Sequence, residues 1–588
     1  MISVISNKGW RTTCVFLICS LMSRAQTPAY EQNQTLSYDE VITAYQKLAE
    51  NNPMAFLFTY GTTDAGKPLH MLLISKDGDV DPVSLRKRDK RIILINNGIH
   101  PGEPCGVDAS LQFATDLLAR KLPQLYLDNT VICIIPAYNI GGMMNRNSVT
   151  RVNQNGPETY GFRGNAKDLD LNRDFIKCDS RNARAFAEIY HTWRPDIFID
   201  THTSDGADYS YSMTLIATQP NKINPLIGQY MKDNMLPALY KGMADDGYEM
   251  TPYVDMKGDT PDNGLVAFLE TPRYSTGYTA LFHTIGFITE AHMLKPYPVR
   301  VKATYHFLTN VLKYSYENCE YLGKIRGIAL QDGRTQKDFG LRWELDTTQT
   351  ETITFKGYTA AYKPSEVTGK DRLYYDRNQP YEKQIPYYNK YKVTAKVTAP
   401  VAYIIPQAWR EVIELLKMNK IMMHRVTKDT VMQLSAYHID GYETVHHPYE
   451  GHYLHYDIKV SKDAQPIQLR KDDMVVYVNQ TKNRFIVETL EPNAPDSYFA
   501  WNFFDNVLMQ KEWFSPYLFE DEAAEMLKND PALKQQFDLK KIEDDSFAEN
   551  PREQLYWVYA HSVHYEKEHN RYPVFRLDRD VPMPVKLD

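Results

Sequence analysis

Between residues 91 and 291 the apolar residues come in short unbroken blocks. RIILINNG (91–98), NTVICIIPAYNI (129–140) and RPDIFIDTHT (194–203) each hold an apolar run too short for a helix with turn-forming residues beside it, so each predicts a buried strand. GLVAFLET (264–271) and GFITEAH (286–292) predict two more. The stretches between them have helical spacing. CGVDASLQFATDLLAR (105–120) and DSRNARAFAEIYHTW (179–193) read as amphipathic helices, the second capped by Asp179 or Ser180. In PVRVKATYHFLTNVLKYSYEN (298–318), Val301, Tyr305, Leu308 and Leu312 share one face. Continuous rather than alternating strands, separated by helices, imply an α/β domain whose sheet is covered on both faces, from about residue 40 to 320.

Beyond about residue 325 the texture changes. TETITFKGYTAAYK (350–363) and YKVTAKVTAP (391–400) alternate as half-exposed strands do. Residues 400–426 read strand, helix, strand; DMVVYVNQ (473–480) and RFIVETLEP (484–492) predict further strands, and 520–537 a charged helical stretch. The first residues have an export pattern: Lys8 and Arg11, then the apolar TTCVFLICSLM, then small Ser23 and Ala25, with cleavage expected after Ala25. The expected organisation is a signal peptide (1–25), an α/β domain (26–325) and a C-terminal α+β, β-rich accessory region (326–588). The mature chain is expected outside the cytoplasm, periplasmic or secreted, with no membrane span.

Composition narrows the picture. A chain of 588 residues is too long for one core, and 43% apolar with 24% charged residues is ordinary for folded domains. A net charge of −7 without a dense basic block argues against nucleic acid as a partner. Two of the six cysteines fall in the leader, and the other four (Cys105, Cys133, Cys178 and Cys319) are too scattered for a disulfide scaffold or a CxxC metal site. Buried thiols are expected.

The chemistry gathers at strand ends. His100 follows the first block, Glu103 begins the next helix, and His202 ends a later strand. In open α/β sheets ligands collect at the carboxyl ends of strands. Two imidazoles and a carboxylate, with a further position for water, form a usual donor set for catalytic zinc. Pro101 and Gly102 suit this, because neither a strand nor a helix would turn both side chains toward one ion at that spacing.

With DLDLNRDF (168–175) and the later strand-end acids, the sequence resembles the M14 family of zinc carboxypeptidases over about residues 40–320. That family carries His-x-x-Glu, an Asn-Arg pair, a distant His and a catalytic Glu, in this order. The resemblance implies a mixed central sheet flanked by helices and one Zn2+ held by His100, Glu103 and His202. It makes Asp170 the carboxylate behind the first His. Asn172 and Arg173 become the grip on a peptide's free C-terminal carboxylate, and Arg151 the group that polarises the scissile carbonyl, with Arg146 nearby. Glu290 is expected as the general base because the domain's last helix follows it. Glu270 is then a buried polar partner or a specificity residue. Tyr274 and Tyr278 are candidates for a Tyr that closes over substrate.

The function implied is an exported zinc metallocarboxypeptidase. A deacylase or cell-wall-peptide amidase would keep the metal and change the substrate. A peptide- or glycan-binding protein without turnover is the reading from another class. HHPYEGHYLH (446–455) repeats His-x-x-Glu but lacks a preceding buried strand, and is expected to be a solvated strand or turn. HYEKEH (564–569) is expected on a charged helix face. No GxSxG elbow or phosphate loop appears.

Overall fold

The computed structural model describes residues 27–588; the expected signal peptide and its cleavage site lie outside the described residues. No helix among the described residues is long and apolar enough to cross a membrane.

Nine strands belong to the first part of the chain: β1 (Ala55–Thr62), β2 (Pro68–Ile74), β3 (Arg91–Asn96), β4 (Thr130–Ile135), β5 (Ile197–Thr203), β6 (Met213–Ala217), β7 (Met250–Pro252), β8 (Leu265–Val266) and β9 (Ile285–Ala291). All but β8 form one sheet in the order β1-β2-β4-β3-β5-β9-β6-β7. The middle strands β4, β3, β5 and β9 run parallel, while β1, β2 and β6 join antiparallel. The sheet is therefore mixed. β3, β4 and β5 are buried throughout, as their unbroken apolar runs require.

Alternate residues of these strands feed two cores. Ile93 and Ile95 pack with helices Tyr38–Asn51, Cys105–Leu118 and Tyr297–Glu317 on one face. Ile92 and Leu94 face helix Arg181–Trp193 on the other. That second core continues into Tyr403, Leu416, Phe485 and Trp501, so the later part of the chain is bonded to the sheet's own packing. Ser180, not Asp179, caps the helix from Arg181, accepting the Ala183 N–H at 3.0 Å.

The later strands are β10 (Asp338–Leu345), β11 (Glu351–Pro364), β12 (Asp371–Tyr388) and β13 (Tyr391–Thr398), then β14 (Ala402–Ile405), β15 (His424–Val426), β16 (Thr430–Thr444), β17 (His455–Leu469), β18 (Met474–Tyr477), β19 (Phe575–Leu577) and β20 (Val585–Leu587). β14–β20 make a second, seven-stranded sheet. The β11–β12 hairpin pairs with β8, Tyr387 opposite Leu265, and so attaches to the first part of the chain.

Three local expectations are corrected. RFIVETLEP is a buried helix (Asn483–Leu490), not a strand; a short apolar run with Phe485, Ile486 and Leu490 buried fits either period, and packing decides. GLVAFLET yields only the two-residue β8, because its partner is the incoming hairpin rather than the central sheet. Residues 564–569 form turns, not a helix. The four cysteines among the described residues, Cys105, Cys133, Cys178 and Cys319, are buried and free.

Candidate metal centre

The chain leaves β3, turns, and places His100 at its end; Glu103 N–H donates to the His100 carbonyl at 2.8 Å, closing the turn. Gly102 is needed there, since a Cβ would lie 2.8 Å from Arg151 Cδ. Gly106 lets the next helix close on β5, where a Cβ would meet Thr201 Oγ1 at 1.9 Å. His202 comes from the carboxyl end of β5, and its register partner on β9 is Glu290. Cross-strand partners share a face of the sheet, so that acid stands beside the second imidazole.

His100, Glu103 and His202 are each 3% exposed. One donor atom from each lies within 4.8 Å of the others, the one such cluster of three found among the described residues. The imidazoles cross at 77° with centroids 4.9 Å apart. Each ring turns Nδ1 inward: His100 Nδ1 is 3.4 Å from Glu103 Oε1 and His202 Nδ1 is 3.3 Å from Glu103 Oε2. Each ring turns Nε2 outward to a carboxylate, His100 to Asp170 Oδ1 at 2.9 Å and His202 to Asp200 Oδ2 at 3.2 Å. An outer carboxylate fixes the tautomer that leaves the inner nitrogen free to ligate. Of the two outer contacts only His100–Asp170 has hydrogen-bond geometry; His202 Nε2 and Asp200 Oδ2 are close but unbonded, and His100 Nδ1 is buried without a hydrogen-bond partner. An orphaned inner nitrogen, beside two further donors of the right kind, fits a divalent zinc ion.

The electrostatics are tightly linked. Burial disfavours ionised Glu103, but Arg151 at 2.8 Å and His100 outweigh it and hold its pKa well below the usual range. Burial likewise opposes charging of His202, yet Asp200, Glu103 and Glu290 hold its pKa well above normal. Asp170 is buried too, but His100, Arg163 and Arg173 depress its pKa. Burial pushes Glu290 up to about 8, with Glu103 and Asp205 reinforcing and His202 opposing.

These groups open into a cleft of about 270 Å³ that Arg151, Asn172, Arg173, Tyr274, Glu270 and Glu290 also line. Asn172 Oδ1 accepts the Ser275 N–H at 3.1 Å, which ties its position to the loop before β9. The Arg173 guanidinium sits 4.4 Å over the Tyr274 ring. Arg146 turns away and donates to the carbonyls of Thr35 and Leu36 at 3.1 Å. Glu270 Oε2 accepts from the Thr276 N–H at 2.9 Å and from its hydroxyl. Tyr278 does not line the cleft: it is 1% exposed, and its hydroxyl donates to Asn419 Oδ1 at 2.7 Å within the second core.

The sequence reading omitted several participants. Asp200 sits two residues before His202 on the same strand face, a signal that period-two alternation provides. Arg163 lies 3.6 Å from Glu103 and 2.9 Å from Asp170, with no sequence pattern to mark it. The 446–455 segment is not simply solvated. Glu450 accepts the Asp170 N–H at 2.8 Å and His452 meets Asp179 at 2.7 Å, because the later sheet carries this turn onto the loop that holds Asp170. His446 and His447 are exposed as expected.

The model of the zinc carboxypeptidase family matches residues 41–214. No curated protein matches the chain. Among solved structures, a metallo-carboxypeptidase from Burkholderia cenocepacia is 16% identical, with a TM-score of 0.36 over 47% of this chain and 69% of its own. A putative carboxypeptidase A from Shewanella denitrificans is 17% identical, with a TM-score of 0.37 over 48% and 69%. A metallo-carboxypeptidase from Pseudomonas aeruginosa, in complex with (2-guanidinoethylmercapto)succinic acid, is 12% identical with a TM-score of 0.36 over 49% and 70%. Residues 41–214, which hold His100, Glu103, the Asn172–Arg173 pair and His202, are therefore the part of this chain that is similar to the M14 zinc carboxypeptidases.

Proposed function

We propose that this chain is an exported zinc metallocarboxypeptidase that removes the last residue of peptides with a free C-terminal carboxylate. One observation carries the reading: two imidazoles turn their Nδ1 atoms toward Glu103, Asp170 bonds the outer nitrogen of the first, Asp200 lies 3.2 Å from that of the second, and Glu290 stands in register beside the second.

His100, Glu103 and His202 would hold the ion, which supplies Lewis acidity and lowers the pKa of a bound water toward neutrality. Glu290 accepts the proton of the attacking water and returns it to the leaving amine nitrogen as the C–N bond breaks. A carboxylate whose pKa burial has raised is suited to both halves of that transfer. Arg151 donates to the oxygen of the scissile carbonyl as charge develops, a contribution of roughly 3 kcal/mol for one well-placed donor. Arg173 takes the substrate's terminal carboxylate in a two-pronged grip, with Tyr274 stacked on its guanidinium to hold the fork in place. Asp170 and Asp200 orient the imidazoles.

The test is a matched pair of peptides, one ending in a free carboxylate and one in an amide, assayed with the purified protein and a measured zinc content. Release of the last residue from the acid alone supports the reading. Equal cleavage of both, or none with zinc bound, contradicts it.

A further inference from the structure

A second chamber adjoins the cleft. Its volume is about 670 Å³, more than twice the 270 Å³ of the cleft itself. Ile216, Tyr253 and Phe268 line both. One wall comes from β6, β7 and the helical stretch from Pro225 to Asp245; the other comes from Ile353, Thr354 and Tyr387 of the β11–β12 hairpin. That hairpin lies far beyond the residues that match the family model.

The lining says what belongs inside. Leu215, Ile223, Leu236, Met250 and Ile353 give it apolar walls, interleaved with the polar side chains of Gln219, Asn221, Gln229 and Asn389. The hydroxyls of Tyr240, Tyr253 and Tyr387 make no hydrogen bond to any described residue. The charged side chains of the lining are paired: Glu351 with Lys232 at 2.7 Å and Lys390 at 2.9 Å, and Glu249 with Lys356 of the hairpin at 2.7 Å. A large uncharged group with one or two polar atoms fits such a space better than a charged one.

A continuous aromatic path connects the chamber to the proposed carboxylate grip. Arg173 lies 4.4 Å over Tyr274, Tyr274 is 5.9 Å from Phe268, and Phe268 is 6.5 Å from Tyr253. This path offers the side chain of a residue whose carboxylate rests on Arg173 a route into the chamber. We propose that the chamber receives a large, uncharged, mostly apolar substituent carried on the side chain of the residue to be removed, such as an acyl group on an amine-bearing side chain. This rests on the reading of Arg173 as the carboxylate grip. It gives the hairpin of the later region a place in substrate selection.

The test compares benzoyl-glycyl-lysine substrates carrying an Nε-hexanoyl or an Nε-acetyl group. They differ by four methylenes, each worth roughly fourfold when fully buried. The wild-type protein should cleave the hexanoyl substrate with kcat/KM at least about tenfold higher. Ile353→Trp, which fills the chamber from the hairpin, should abolish that gain and leave the acetyl rate within about threefold. Equal rates for the two substrates in the wild type, or an equal loss on both in the variant, would overturn the inference. Tyr387→Trp takes the variant's place if Ile353→Trp melts early. Should neither substrate be cleaved, the peptidase reading fails on its own. The chamber is then read by calorimetric binding of free Nε-hexanoyl-lysine and Nε-acetyl-lysine. Binding of the hexanoyl compound at least about tenfold more tightly, lost in the variant, upholds the chamber; equal affinities overturn it.

Discussion

Replacing Asp200 with Asn changes a single atom's hydrogen-bonding character two residues from a candidate ligand. Asp200 Oδ1 accepts the Asn96 side-chain N–H at 3.1 Å, and an Asn carbonyl oxygen can keep that bond. The other oxygen, 3.2 Å from His202 Nε2, becomes an NH₂. A donor there requires Nε2 to accept, so the neutral ring must carry its proton on Nδ1. Nδ1 is the nitrogen turned toward Glu103, and a protonated nitrogen cannot ligate. Loss of such an orienting partner typically costs 10- to 100-fold in metal affinity, or about 1.4–2.7 kcal/mol. The volume is unchanged and Asp200 is fully buried, so the fold should tolerate the change. Competition against a fluorescent zinc chelator at fixed pH reads the affinity, and thermal melting of the zinc-free protein reads the fold. Unchanged zinc affinity with an intact fold would refute the argument that Asp200 sets the His202 tautomer.

Glu290→Gln should lower kcat by roughly 10²- to 10⁴-fold while zinc content stays at the wild-type level, measured on one peptide with parallel metal analysis. Arg173→Lys keeps the charge but loses the fork, and KM for a free-carboxylate peptide should rise by about 10- to 100-fold while zinc content stays at the wild-type level. Zinc affinity should weaken as pH falls: the His202 pKa stands well above normal, so protons compete for its Nδ1 already near neutrality, and a chelator titration across pH 5 to 9 reads the slope. Asp196 is buried, which opposes its ionisation, but Arg86, Arg326 and Arg91 outweigh burial and depress its pKa. Its contribution to stability is therefore present above the unfolded value of about 3.9 and lost as pH falls below it. Asp196→Ala, which strands three guanidiniums, should cost about 3–5 kcal/mol at neutral pH by chemical denaturation.

Continuous apolar blocks made β3, β4 and β5 legible, because strands buried on both faces cannot alternate. The His100–Glu103 turn was legible because two residues that resist regular structure stood between two ligand-type side chains. Helix Asn483–Leu490 was not, since eight residues buried nearly all round carry no preferred period. Nor were Arg163 and Glu450, which reach the centre through loops that only tertiary packing brings together. Tyr278 was misplaced for a similar reason: a Tyr shortly before β9 can face the cleft or the core, and its spacing does not distinguish them.

The most direct measurement is anomalous diffraction at the zinc edge from crystals grown with zinc. The account predicts one strong peak among His100 Nδ1, the Glu103 carboxylate and His202 Nδ1. Density for zinc only elsewhere, with these three side chains still in contact with one another, would contradict it.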